Sequence, residues 1–278
     1  MHPSKLLALS IFLAPALLVR QVDASAVKGH IDCNKQTTFC LIKGLTINGA
    51  IDDGTPVEIQ QLVDDFNSKS DSNIQSRGLA GTEIELNSPG GSVTAAMATG
   101  RLLRRYRMTA TVKPGAECDS ACILVYAGAV VRYGHFNSGR IGIHQPYFEV
   151  PQQSVDPGVI RTAYANMLRD MRSYLHEMNV SEQLADEMLK TLPSNIRYLS
   201  PEEQDKFGLV IFDPVETEIS SLEQAQKFGL SRAEYIRREA ISTKVCDVGI
   251  EFFTCVDAVL RTGKAPLPDL RAFGTPVQ

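Results

Sequence analysis

EIELNSPGGSVTAAMATG, residues 83–100, is the stretch from which the fold is read. Residues 83–87 form a short strand. Ser88-Pro89-Gly90-Gly91 follows, a run in which helix is strongly disfavoured. A helix rich in Ala, Met and Leu then runs from about Ser92 to Tyr106. Strand, glycine loop and helix are one unit of a layered α/β domain.

Working outward, the unit recurs. Towards the N-terminus, residues 41–49 read as a strand closed by an Asn48-Gly49 turn. Val57, Ile59, Leu62, Val63 and Phe66 give residues 55–67 the spacing of an amphipathic helix, and the polar residues 70–82 read as a surface loop. Towards the C-terminus, residues 108–113 form a strand that Pro114-Gly115 breaks. Residues 120–128 are small and apolar, as in a buried helix. Strands are expected at 130–133 and 140–144, around a turn at Asn137-Ser138-Gly139. A long helix over 157–178 places Ile160, Ala163, Met167, Met171, Leu175 and Met178 on one face, and another helix starts near Ser181. Ser200-Pro201-Glu202-Glu203 is a capping box with proline at the first helical position. Gly208 ends that helix, and residues 209–212 form a last strand. Ser231-Arg232-Ala233-Glu234 is a second capping box, opening a charged helix in a small helical appendage.

The 278 residues carry a net charge of -4, so no basic surface argues for nucleic acid. The N-terminus has the three-part layout of a secretory signal: Lys5, an apolar run over residues 6–19, and the small residues Ala24, Ser25 and Ala26. The run is shorter than the roughly 20 residues a membrane span needs. Cleavage is expected after Ala26, leaving no membrane span, and the alternative is an uncleaved anchor. The chain then divides into a signal peptide (1–26), an α/β domain (27–215) and a helical extension (216–278). The mature protein is periplasmic or secreted, and one charge more negative, because Lys5, Arg20 and Asp23 leave with the signal.

Export makes the six cysteines readable as disulfides. Cys33 and Cys40, and Cys246 and Cys255, are local pairs expected to be bonded. No C-x-x-C occurs, which disfavours a zinc ribbon. For Cys118 and Cys122, a disulfide and two buried thiols both remain open readings.

Two features carry chemistry. In the Asn87–Ser92 loop, Gly90 and Gly91 let the backbone approach a substrate, and their N–H groups lie beside a helix N-terminus, where an oxyanion would be stabilised. Ser120, within Cys118-Asp119-Ser120-Ala121-Cys122, sits where a loop meets an apolar helix. His144 lies 24 residues on, at the end of a strand, and imidazole is suited to act as its base. Taken singly, the glycine loop reads as a turn, Ser120 as a helix N-cap and His144 as a core histidine.

Together, IELNSPGGSVTAAMATG, CDSACILVYAGAVVR and RIGIHQP resemble the Clp protease proteolytic subunit family. LTINGAIDDG and YLSPEEQDKFGLV resemble the opening and the close of its domain, so the resemblance spans about 42–213. It implies a crotonase-like spiral of strand-strand-helix units, with Ser120 as nucleophile, His144 as general base, and the Gly91 and Ala121 N–H groups facing the oxyanion. Gly90 and Ser92 would line the substrate site. It also implies a homo-oligomer built partly through the 157–178 helix; peptides or unfolded segments are the substrates expected of an exported, ATP-independent peptidase, and no metal or other cofactor is expected.

This chain departs from that pattern where the family places its catalytic acid. Residues 191–195, Thr-Leu-Pro-Ser-Asn, contain no carboxylate, which leaves Asn195, Ser194 or Asp186 to orient His144. Lys113 is the one lysine offered for a serine–lysine dyad. No nucleotide-binding P-loop is present, so the expected activity is ATP-independent. A non-catalytic exported scaffold and an acyl-CoA enzyme of crotonase type are the competing readings. Export argues against the second, since CoA thioesters are not expected outside the cell.

Overall fold

The computed structural model describes residues 26–34, 40–70, 79–133, 139–148, 156–209, 211–246 and 251–264. Residues 1–25, which hold nearly all of the expected signal peptide, lie outside them. Among the described residues no helix is long and apolar enough to cross a membrane.

Strand β1 (Ala26–Cys33) pairs antiparallel with β2 (Cys40–Asn48), and the Cys33–Cys40 disulfide closes the two into a ribbon. From β2 the chain winds in parallel through β3 (Glu83–Asn87), β4 (Thr109–Thr111) and β6 (Val131–Tyr133), giving a five-stranded sheet in the order β1-β2-β3-β4-β6. The crossovers are α1 (Gly54–Lys69), α2 (Val93–Arg105) and α3 (Cys122–Gly128). Parallel neighbours need such crossovers, because a tight turn only reverses the chain.

The apolar periodicities point into one core. Ile47, Ile84, Leu86 and Ala110 meet Ile59, Val63 and Phe66 of α1 and Leu103 of α2 there. All seven residues of α3 are buried, as expected of a helix apolar all round. It packs against α2 where two glycines meet: a Cβ on Gly128 would lie 2.3 Å from the Gly100 carbonyl oxygen. The Tyr174 hydroxyl, from α4 (Pro157–Glu177), donates to the Leu124 carbonyl at 2.6 Å.

A second sheet stands on this one. It consists of β5 (Glu117–Asp119), β7 (Arg140–Ile143) and β8 (Arg197–Tyr198), in the order β5-β7-β8. A bridge between Ser88 and Cys118 joins it to the loop after β3. The short helices α5 (Gln183–Met188) and α6 (Pro201–Lys206) follow α4 in the chain, and the Ser200–Glu203 capping box is formed in full.

Helices α7 (Pro214–Lys227), α8 (Arg232–Val245) and α9 (Phe252–Thr262) make up the C-terminal region, with a small core of Ala225, Tyr235 and Leu260. The Cys246–Cys255 disulfide links α8 to α9. At the N-terminus of α8, Ser231 caps the Glu234 N–H as expected. The Glu234 carboxylate turns to Arg237 and Arg238 rather than back to the cap.

Three strands differ from the sequence reading. The strand expected at residues 209–212 falls partly outside the described residues, and Leu209, Ile211 and Phe212 belong to no strand. They run beside β6 and touch it at one bridge, Val131 to Phe212, while the Asp213 N–H donates to the Val130 carbonyl. β5 and β8, at three and two residues, are too short to leave a period in the sequence.

Candidate active site

The Pro89-Gly90-Gly91 loop packs directly on the turn that carries Ser120. The Ser88 N–H donates to the Glu117 carbonyl at 2.7 Å, and the Asp119 N–H donates to the Ser88 carbonyl at 2.9 Å. Gly90 has φ +96°, and a Cβ there would lie 2.6 Å from the Ser120 Cβ and 2.7 Å from the Asp119 carbonyl oxygen. Gly91 has φ +142°, with its Cβ position 2.1 Å from the Ile51 carbonyl oxygen. Both positions therefore require glycine, for conformation and for space.

Ser120 itself has φ +56°, the left-handed region, which a non-glycine residue occupies at a cost and which recurs at functional sites. Its N–H is held by the Gly142 carbonyl at 2.9 Å. Two residues later α3 begins. The Cys118–Cys122 disulfide spans this turn, with Cα atoms 5.1 Å apart, so of the two open readings the bonded one is found. Both cysteines are fully buried.

Ser120 and His144 line one cavity of about 450 Å³, together with Gly90, Gly91, Ser92 and Tyr147. Ser92 is also the N-cap of α2, accepting from the Ala95 N–H. Among the described residues, no hydrogen bond engages the Gly91 or Ala121 N–H. A larger cavity of about 630 Å³ lies between the β6 edge and α7, but it has no histidine in its lining, and its Arg107 and Glu216 are bonded to each other.

His144 is buried, with Nδ1 2.8 Å from the Gln145 carbonyl oxygen. A carbonyl only accepts, so Nδ1 carries a hydrogen, and in the neutral imidazole Nε2 then holds the lone pair a general base needs. The sequence reading had assigned that orienting place to Asn195, Ser194 or Asp186, and none of the three fills it. Asn195 is exposed and accepts from the Ser194 hydroxyl, while Asp186 is paired with Arg172. The reason is local. Gln145 donates its N–H to the Thr191 carbonyl, which anchors the residue beside the imidazole, and its own carbonyl, in the next peptide unit, meets Nδ1. Lys113 is exposed and bonded to Glu85, and so is not the partner of Ser120.

The sequence reading passed over Asp119. It is 6% exposed, and its Oδ1 has no hydrogen-bond partner among the described residues. Burial pushes its carboxyl up to about 6. The available signal was a charge standing immediately before an apolar run. Among the described residues, no cluster of His, Cys, Asp and Glu could hold a metal ion.

Parallel strands crossed by helices, with a strained serine turn facing a glycine loop and a histidine, define the Clp-protease-like class of α/β proteins. The Clp protease family model matches residues 76–215, half of the chain, and the chain belongs to that family. Among solved structures it is similar to a serine-to-alanine mutant of the 1510-N membrane-bound stomatin-specific protease, with a TM-score of 0.42 and 21% identity, over 59% of this chain and 75% of that one. It is similar also to an asparagine-to-aspartate mutant of ClpP1 from Listeria monocytogenes, with a TM-score of 0.43 and 21% identity, over 62% of this chain and 92% of that one.

Proposed function

We propose that this protein is an exported serine peptidase that works through an acyl-enzyme on Ser120, without ATP. The observation that carries the reading is the strained Ser120 turn opening into the cavity that His144 also lines. Ser120 Oγ attacks the carbonyl carbon of the substrate amide and passes its proton to His144 Nε2. The oxyanion that forms is met by the Gly91 and Ala121 N–H groups. As the C–N bond breaks, the imidazolium returns the proton to the leaving amine, and water then releases the acyl group by the same steps in reverse order.

The three disulfides support an oxidising compartment. Peptides or unfolded segments are the substrates that this reading implies. Membership of the Clp protease family supports assembly into a homo-oligomer through α4.

Labelling with a fluorophosphonate probe tests the reading. The mature protein should label at one residue, and Ser120→Ala and His144→Ala should each abolish labelling. A folded wild type that stays unlabelled under both oxidising and reducing conditions would favour a non-catalytic scaffold.

A further inference from the structure

The nucleophile and base proposed above leave an electrostatic gap. When Ser120 gives up its proton, His144 becomes an imidazolium in a buried place, and its Nδ1 faces a neutral carbonyl rather than a carboxylate. A buried cation without a counter-charge is strongly disfavoured.

The second sheet supplies a counter-charge. In register, Asp119 of β5 lies opposite Gly142 of β7, and Glu117 lies opposite Arg140. The Asp119 Oδ1 lies 2.1 Å from the position a Gly142 Cβ would take, so the carboxylate covers the side-chain face of β7 at that point. β7 ends at Ile143 and His144 follows it directly, two residues on from Gly142 and so within about 7 Å of it along the chain. The other charged groups on this face are engaged elsewhere: Glu117 pairs with Arg140, which stacks over Tyr198. On β8, Arg197 is held by Glu187 and Glu203. The Asp119 Oδ1, by contrast, is bonded to nothing among the described residues.

We infer that Asp119 is a positioning residue of this site: its buried carboxylate stabilises the imidazolium of His144, in place of a carboxylate on Nδ1. It acts through space, from the residue next to the nucleophile.

The test follows the ring signals of His144 by NMR against pH in the full mature protein, as wild type, Asp119→Asn and Asp119→Ala, each in a Ser120→Ala background so that no turnover intervenes. The fluorophosphonate labelling rate is measured in parallel with Ser120 restored. Removing the charge should move the His144 titration midpoint down by about one pH unit or more and slow labelling by about 10–100-fold. A merely structural role for Asp119 would leave the midpoint in place. Two folded variants with an unmoved His144 titration overturn the inference, whatever the labelling rates. A wild type that does not label counts against Ser120 as nucleophile, and the His144 titration then still decides for or against Asp119.

Discussion

At the scale of single residues, Asp119 carries a cost in stability. Its carboxyl is raised by burial from 3.8 to about 6, so the folded state holds its proton more tightly than the unfolded chain does. The sign follows: the protein is favoured while Asp119 stays protonated, and that advantage is lost as pH rises through about 6. At pH 7.5 the penalty is on the order of 3 kcal/mol. Asp119→Asn should therefore raise the urea midpoint at pH 7.5 and leave it nearly unchanged at pH 4. Equal gains at both pH values would mean that the charge is not what costs. The motifs flanking Ser120 and His144 singled the two out in the sequence, and the structure lines one cavity with both. Asp119 was not, since a sequence shows a carboxylate but not whether water or a partner reaches it. The partner of His144 Nδ1 was illegible for a related reason: it is a backbone carbonyl, and every residue has one.

Among the elements, legibility followed length. The longer helices α1, α2 and α4 stand close to where their apolar spacing put them, because three or more turns repeat a period often enough to be read. The two- and three-residue strands β8 and β5 repeat nothing, and tertiary register alone makes them strands. Residues 209–212 have the composition of a strand, but among the described residues β6 meets them at a single bridge, made by the Arg132 N–H bond to the Ile211 carbonyl and the Asp213 N–H bond to the Val130 carbonyl. The crossing of α2 over α3 depends on an atom that is missing. Gly128→Ala would drive a Cβ into the backbone of Gly100, and neither helix can retreat from a buried core. The expected loss is about 3 kcal/mol, seen as a lowered thermal midpoint. An unchanged midpoint would show that the two helices are packed more loosely than described.

For the molecule as a whole, one buried group of charges ties the domain to its C-terminal helices. Asp213 is fully buried and caps α7 by accepting from the Val215 and Glu216 N–H groups. Arg104 pairs with it at 2.9 Å, Arg132 stands 3.5 Å away, and the Asn179 amide donates to it. Burial alone would raise its pKa, but the Glu216 N–H and Arg104 outweigh burial and hold the carboxyl below its ordinary range. The sign is opposite to that of Asp119: the contribution is present above about pH 4 and is lost as pH falls through the depressed value. Asp213→Ala removes the buried carboxylate that Arg104 and Arg132 both face, and should cost about 3–5 kcal/mol. Hydrogen exchange should show α7 losing protection before the five-stranded sheet does. Simultaneous loss in both would mean that the two regions unfold as one unit.

The three disulfides join cysteines only 7, 4 and 9 residues apart. Six cysteines can be joined in many ways, but with partners this close in sequence each thiol can meet its native partner before the next pair has been synthesised. Oxidation can thus proceed in step with chain emergence, each bond sealed in turn, and the protein should need an oxidant for its biogenesis but no disulfide isomerase.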